Sequence, residues 1–240
     1  MECTAALVLE SLTMHTTTHI TEEAMELVLE KNGDGIPSVE GGSTTGLGKA
    51  ISFRTELPHL CVPTTYTGSE MTPILPETEN GVKTTRRDPN ILPTAVLHDK
   101  DGYKALYVAW RCGICLGAVD IALHHNLCHT AGSTFNLPHA ETHVAILPNA
   151  LAYNASAAPE AMKTMAPAFP ESEGDAVRGI NALYRRLGVE VSLKTLGMPE
   201  AGIEKAAVIV AKNSDKNPAT LESESIREII RRAWAGEATS

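Results

Sequence analysis

Apolar residues in the first hundred positions follow two patterns, helical spacing and short continuous runs. The segment 21–31, TEEAMELVLEK, has apolar residues at helical spacing behind a threonine that can cap a helix. The runs 36–39, 59–63 and 95–98 are short and apolar, which is typical of buried strands in a parallel sheet. Strands that alternate with helices in this way predict an α/β unit.

The pattern is helical throughout from residue 103 onward. It predicts one long helix over 103–130, stopped by Gly132, and a following helix that begins near Pro138. Further segments with helical spacing lie at 176–187, 200–212 and 223–235. The predicted fold is therefore an α/β N-terminal part, a partial nucleotide-binding domain over 1–98, followed by an all-α, helical C-terminal domain over 99–240.

Composition and charge narrow the function classes. The 240-residue chain is 43% hydrophobic, enough for a sizeable core, and its net charge of −9 argues against nucleic acid and anionic membranes as partners. Arg111 and Asp120 interrupt the most apolar stretch, so no membrane span is expected. Five cysteines are an odd number for a disulfide framework, and the first residues lack a signal-peptide pattern. These features predict a reducing compartment, the cytoplasm.

A glycine-rich loop, GGSTTGLGK at 41–49, follows the first predicted strand and precedes a helix. Glycines let a backbone approach a ligand and a helix N-terminus attracts anions, which favours a phosphate-binding turn. The spacing departs from the P-loop and from G-x-G-x-x-G, so an ordinary strand-to-helix turn remains an alternative. A second loop, TTYTGSEMT at 64–72, is rich in hydroxyl groups and follows the second strand. Such loops line the ligand crevice of open α/β sheets.

The cysteines Cys112 and Cys115 are spaced as C-x-x-C within the long predicted helix. A redox pair belongs at a helix N-terminus, and a zinc site needs further ligands. We therefore interpret both cysteines as small buried hydrophobic residues. Gly113 and Gly117 lie four residues apart on the same helix, so another helix can approach closely there.

Five of the nine histidines fall in one stretch, HHNLCHTAGSTFNLPHAETH. His125 and His129 are four residues apart and project from one helix face. His139 follows a turn, after which the chain can fold back beside them. Imidazoles in such positions can bind a divalent metal or handle protons, and both functions stay open. We interpret the remaining two, His124 and His143, as structural.

Three stretches carry a family resemblance: GGSTTGLGKA, PTTYTGSEMTPI and LHHNLCHTAGSTFNLPHAETHVAILPNALAYNA. Together they resemble maleylacetate reductase, a branch of the iron-containing (group III) alcohol dehydrogenase superfamily. The match is truncated at the N-terminus, starting near residue 14, and lacks an internal segment after Asp99. The resemblance implies a dehydroquinate-synthase-like fold that is incomplete in this chain. The implied activity is NAD(P)H-dependent reduction of maleylacetate to 3-oxoadipate in aromatic catabolism.

The resemblance also implies site residues. His129 matches the histidine near the nicotinamide and is the catalytic candidate, a proton donor. His125 and His139 match metal ligands, for iron or zinc, in a site that is incomplete because the remaining family ligands have no match. The expected cofactor is NADH or NADPH. Its expected contacts are Gly41, Gly42, Ser43, Thr44, Thr64, Thr65 and Ser69.

Two alternative functions stay open beside the reductase. One is a metal-dependent alcohol dehydrogenase of the same superfamily, and the other is a non-catalytic remnant that binds a nucleotide or a full-length relative. The expected partner is a dianionic small-molecule substrate, for which Arg86 and Arg87 are candidate anchors. Nucleic acid and membranes are not expected as partners, and a homodimer is left open.

Overall fold

The computed structural model describes residues 17–79, 82–98, 103–169, 171–212 and 216–239. The chain forms two compact units, 1–120 and 121–240. The predicted domain division between residues 98 and 99 stays a prediction. The boundary of the compact units lies further along the chain, so the helix Tyr103–Ala118 belongs to the first unit.

The first unit contains a three-stranded parallel sheet in the order β1-β2-β5, flanked by helices. Both neighbouring pairs are parallel, with Ile36 opposite His59 and Leu60 opposite Ala95. The predicted alternation of helices and strands is therefore confirmed. Its elements are α1 (Thr18–Glu30), β1 (Ile36–Glu40), α2 (Gly42–Thr55), β2 (His59–Pro63), β3 (Ile74–Glu79), β4 (Val82–Arg87), β5 (Ala95–Val96) and α3 (Tyr103–Ala118).

The strands β3 and β4 form a separate antiparallel pair that the strand prediction missed. Their sequences, ILPETE and VKTTRR, are too polar to form an apolar run. A signal was nevertheless present, because the pair Asn80-Gly81 between them is typical of a two-residue hairpin connection.

The prediction of one long helix over 103–130 is wrong, because α3 ends at Ala118 and the next helix begins at Leu123. The prediction that Cys112 and Cys115 are buried is also wrong, since both lie exposed on α3. The predicted close approach at Gly113 is present, but the partner is a loop. A Cβ there would collide with the carbonyl oxygen of Gly68, which has a positive φ of 66°.

The second unit is helical, as predicted, and three of its helices follow the predicted bounds closely. Its helices are α4 (Leu123–Phe135), α5 (His139–Asn154), α6 (Pro159–Met165), α7 (Ala176–Leu187), α8 (Gly202–Ala211) and α9 (Ser223–Ala235). One apolar core joins α4, α5, α8 and α9, with Leu127, Ile146, Val210 and Ile230 buried in it. In the part of the chain that is described, no helix is both long and apolar enough to cross a membrane.

Candidate functional site

The glycine-rich loop and the hydroxyl-rich loop lie in contact at one edge of the parallel sheet. Gly41 directly follows β1, and Thr64 and Thr65 directly follow β2, which is the neighbouring strand. A Cβ added to Gly41 would lie 3.2 Å from Thr65 Cγ2, so only glycine lets the loops approach this closely without a shift. The structure thus brings together two of the predicted cofactor-binding segments.

The helix α2 begins at Gly42 with no side chain capping its first turn and no acidic residue in that turn. Its first backbone N–H groups therefore have no partner within the helix, and the dipole presents a partial positive charge there. Gly42, Ser43 and Thr44 form this turn. Gly42 lies beside the second loop, since a Cβ added to it would be 3.6 Å from Thr67 Cγ2. The arrangement can accept a phosphate group.

A group of buried polar side chains, which we name the Lys49 cluster, lies behind these loops. Its members are Ser38, Lys49, His59, Glu70 and Thr72, each less than a tenth exposed. The sequence predictions included no role for any of them. They come from four stretches of the first unit, so no local pattern marks the group.

Lys49 holds the second loop through its ammonium group. Nζ donates to the carbonyl oxygens of Ser69 at 2.5 Å, Thr72 at 2.7 Å and Ile74 at 3.3 Å. It also donates to Thr72 Oγ1 at 3.1 Å. Burial lowers the pKa of Lys49 to about 8, while electrostatic interactions with Cys61 and Glu70 oppose this shift. Lys49 therefore fixes Ser69, one of the predicted cofactor contacts, to α2.

His59 is fully buried beneath α2 and bonds to β1. Its Nε2 lies 2.9 Å from Ser38 Oγ, and its Nδ1 has no hydrogen-bond partner among the described residues. Burial, and then the positive charge of Lys49, lower the pKa of His59 to about 4. The ring is therefore neutral at physiological pH.

We expect the first unit to lose stability as the pH falls from 6.5 to 4. In this window the unfolded state binds the proton at residue 59 and the folded state does not, so the free energy of unfolding rises with pH. The full effect of this one group is about 3 kcal/mol. Denaturant unfolding of a Trp234→Phe variant measures it, because Trp110 of α3 is then the remaining tryptophan.

The matched variants separate His59 from other titrating groups. His59→Gln should flatten the pH dependence between 4 and 6.5, whereas His19→Gln, at a side chain 78% exposed, should leave it unchanged. An unchanged slope in His59→Gln would contradict the assignment.

The histidine-rich stretch forms a corner between α4 and α5. Asn136 ends α4 in the left-handed conformation, with φ of 53°, and α5 begins after Pro138. The two helices pack against each other, which brings the imidazoles together. Ring centroids are 4.4 Å apart for His125 and His129 and 5.9 Å apart for His129 and His139. The three histidines predicted to meet are therefore neighbours.

His125 and His129 share a hydrogen bond between their Nε2 atoms, 2.9 Å apart. One nitrogen must donate and the other must accept, so a proton lies between the rings when both are neutral. Both rings are half-buried. Such a pair can pass a proton to a nearby acceptor and regain it.

His124 and His143, which the sequence analysis interpreted as structural, also lie in the corner, and that interpretation stays a prediction. Their ring centroids are 4.9 Å apart, and His143 also lies 4.4 Å from His139 and 5.0 Å from His125. The four-residue spacing of His143 from His139 was the available signal. That spacing did not show that His143 of α5 lies against both His124 and His125 of α4.

The implied metal ligands, His125 and His139, do not complete a site in the part of the chain that is described. Their ring centroids are 6.4 Å apart. The one group of three metal-binding side chains found among the described residues contains neither of them. The described residues therefore supply only the two implied ligands, and their role in binding the family's metal stays a prediction.

The two candidate substrate anchors differ in their surroundings. Arg87 donates to the carbonyl oxygens of Gly117 and Val119, at 2.5 and 3.3 Å, and so caps the end of α3. The guanidinium of Arg86 lies 5.3 Å from the ring centroid of Phe53. Arg87 thus has a structural role, and Arg86 is the candidate that remains.

Family models and curated relatives match nearly the whole chain. The model "Iron-containing alcohol dehydrogenase" matches residues 2–100, and "Fe-containing alcohol dehydrogenase family, C-terminal" matches residues 90–234. Maleylacetate reductase of Burkholderia cepacia is 40% identical over 285 positions, covering 93% of this chain and 80% of the relative. That of Sphingobium indicum is 37% identical, covering 93% and 80%. The 285 positions exceed the 240 residues of the chain, in agreement with the internal deletion.

Solved structures support the same relationship. Maleylacetate reductase from Rhizobium sp. has a TM-score of 0.86 at 35% identity, covering 97% of this chain and 83% of its own. Iron-containing alcohol dehydrogenase from Corynebacterium glutamicum has a TM-score of 0.90 at 28% identity, covering 98% and 83%. The dehydroquinate-synthase-like fold class is thereby confirmed. The chain belongs to the iron-containing alcohol dehydrogenase family and is, by lineage, an NAD(P)H-dependent oxidoreductase.

Proposed function

We propose that the chain reduces the carbon–carbon double bond of maleylacetate with NADH or NADPH. The observation that carries this proposal is the 40% identity to a maleylacetate reductase across 93% of the chain. The histidine corner and the paired loops support it, because both lie in stretches that the resemblance assigns to catalysis and cofactor binding. We also propose a cytoplasmic location, which the free cysteines Cys61, Cys112, Cys115 and Cys128 support.

The cofactor end of the site is assigned to the two adjoining loops. The first turn of α2, with Gly41, Gly42, Ser43 and Thr44, would bind the pyrophosphate through backbone N–H groups. The second loop would contact the rest of the cofactor through Thr64, Thr65 and Ser69. Lys49 keeps Ser69 in place through its bond to that residue's carbonyl oxygen, so the contact needs little ordering when the cofactor binds.

The chemical step is assigned to the pair formed by His125 and His129. When bound, NAD(P)H supplies a hydride to the conjugated alkene, which leaves enolate charge on the substrate. His129 then donates a proton to the substrate carbon, the proton shared with His125 replaces it, and solvent returns a proton to His125. Arg86 is the proposed anchor for a substrate carboxylate. No step passes through a metal.

Oxidation of NADH by the purified chain, with maleylacetate present, tests the proposal. We expect turnover that falls roughly a hundredfold or more in His129→Gln, the typical effect of losing a general acid, while NADH affinity is unchanged. His19→Gln, in α1, should retain full activity. Turnover that survives in His129→Gln would exclude the assigned proton donor.

The internal deletion favours one alternative, a non-catalytic remnant that binds nucleotide. The NADH oxidation assay distinguishes this remnant from a reductase when NADH binding is measured beside it by fluorescence. A folded sample that binds NADH without consuming maleylacetate would establish the remnant. Turnover of a simple alcohol with NAD⁺, strictly dependent on added iron or zinc, would instead establish a metal-dependent alcohol dehydrogenase.

A further inference from the structure

A second set of potential metal ligands lies in the histidine corner, apart from the pair implied by the family. It consists of His124 and Cys128 of α4 and His143 of α5, whose ligand atoms all lie within 4.8 Å of one another. His124 and Cys128 are four residues apart and so share one face of α4. The position of His143 depends on the packing of α5 against that face.

The donor types are those that a borderline-soft cation prefers. Zinc is bound in proteins by thiolate and imidazole, with a metal–sulfur distance of about 2.3 Å and metal–nitrogen distances of about 2.0 Å. Ligand atoms around one tetrahedral zinc are then roughly 3.5 Å apart. The observed spread of at most 4.8 Å can close to this value through small rotations of two half-buried imidazoles.

One hydrogen bond already selects the ligating nitrogen of His124. Its Nε2 lies 3.2 Å from the backbone carbonyl oxygen of His143. A carbonyl can only accept, so Nε2 carries the proton and Nδ1 of the neutral ring carries the lone pair. Metal-binding histidines commonly donate their second N–H to a backbone carbonyl in this manner, which fixes the tautomer and orients the ring.

We propose that His124, Cys128 and His143 bind a zinc-class divalent cation that ties α4 to α5. Binding replaces the proton of the Cys128 thiol, which leaves to solvent, and a water completes the tetrahedron. His143 lies against both His125 and His139, so the new site sits beside the proposed proton-transfer pair. The site does not depend on the proposed reductase activity.

Cobalt binding to the full-length chain tests the site directly. Cobalt substitutes for zinc, and its bond to a thiolate gives a charge-transfer absorption in the near ultraviolet. We expect this band in the parent chain and in Cys61→Ser, a matched change at a second buried cysteine, and its loss in Cys128→Ser. The double variant His125→Ala/His139→Ala should retain the band.

A second variant and a second measurement guard against misfolding of Cys128→Ser. His124→Gln alters a half-buried ring and should weaken cobalt binding roughly tenfold or more, with an unchanged circular dichroism spectrum. Zinc should raise the unfolding midpoint of the second unit, followed through Trp234, in the parent but not in His124→Gln.

Three results would overturn the proposal. The first is a parent chain that binds no cobalt, and the second is a band that persists in Cys128→Ser. The third is binding that is lost in His125→Ala/His139→Ala but retained in the other variants. The last result would place the metal on the family's ligand pair instead.

Discussion

Replacing Lys49 by methionine should destabilise the first unit by about 3–5 kcal/mol, the usual effect of removing one charged partner from a buried polar group. Methionine preserves most of the side-chain volume but donates no hydrogen bond. The carbonyl oxygens of Ser69, Thr72 and Ile74 would lose the ammonium that they share. Glu70 would keep its buried carboxylate, which has no hydrogen-bond partner among the described residues, without the opposing charge of Lys49.

Denaturant unfolding of the Trp234→Phe background measures this loss, with Lys31→Met as the control. Lys31 has a side chain 47% exposed and pairs with its neighbour Glu30, so its loss should change stability by about 0.5 kcal/mol or less. The double variant Lys49→Met/Glu70→Gln should recover part of the loss, because it removes the uncompensated carboxylate as well. Equal stability of Lys49→Met and the parent would contradict the role assigned to the ammonium.

The charge on Lys49 also predicts how the free energy of unfolding changes at alkaline pH. Its pKa is about 8 in the folded state, below the value of 10.5 for an unfolded lysine, so the unfolded state binds the proton between these values. The free energy of unfolding should therefore rise with pH from 8 to 10.5, and this rise should vanish in Lys49→Met.

Replacing Gly48 by alanine should destabilise the first unit by roughly 2–4 kcal/mol, since overpacking and a broken buried hydrogen bond each cost about 1–3 kcal/mol. A Cβ at this position of α2 would collide with Ser38 Oγ and His59 Nε2. Those two atoms bond to each other, so the methyl group would have to displace α2 from the sheet or separate them. Separation would leave neither nitrogen of His59 with a described partner.

The same substitution at Gly132 of α4 is the matched control. There a Cβ would approach the carbonyl oxygen of Leu137 at 3.8 Å, an ordinary contact, so alanine should stabilise the helix by about 0.5–1 kcal/mol. Thermal unfolding of both variants compares the two glycines directly. A Gly48→Ala protein as stable as the parent would show that α2 can move away from β1 and β2 without cost.

Local pattern determined the parallel strands, most of the helices and the two loops at the sheet edge. Short apolar runs at 36–39 and 59–63 identified β1 and β2. The prediction that the run at 36–39 is buried is wrong for half of it, because Pro37 and Val39 are exposed, Val39 by 56%. Parallel neighbours end at the same edge, so Gly41 and Thr65 meet there by topology alone. The apolar pattern did not predict the hairpin of β3 and β4, because its exposed residues are polar. Only the Asn80-Gly81 pair indicated it.

The sequence also determined the lineage and the set of imidazoles in the α4–α5 corner. It did not determine which of these imidazoles lie next to one another. A one-turn spacing puts His125 with His129 and His124 with Cys128, but it cannot say which ring of α5 faces which pair. The packing of α5 places His143 against both and leaves His125 and His139 with ring centroids 6.4 Å apart.

The burial of Lys49 was likewise decided by tertiary structure. A lysine within a glycine-rich loop and helix is normally solvated, because removing an ammonium from water is unfavourable unless partners replace the water. Those partners are carbonyl oxygens 20, 23 and 25 residues further along the chain. Periodicity reports which face of an element is apolar, whereas the satisfaction of a buried charge depends on atoms from segments that meet only after the sheet and its loops have assembled.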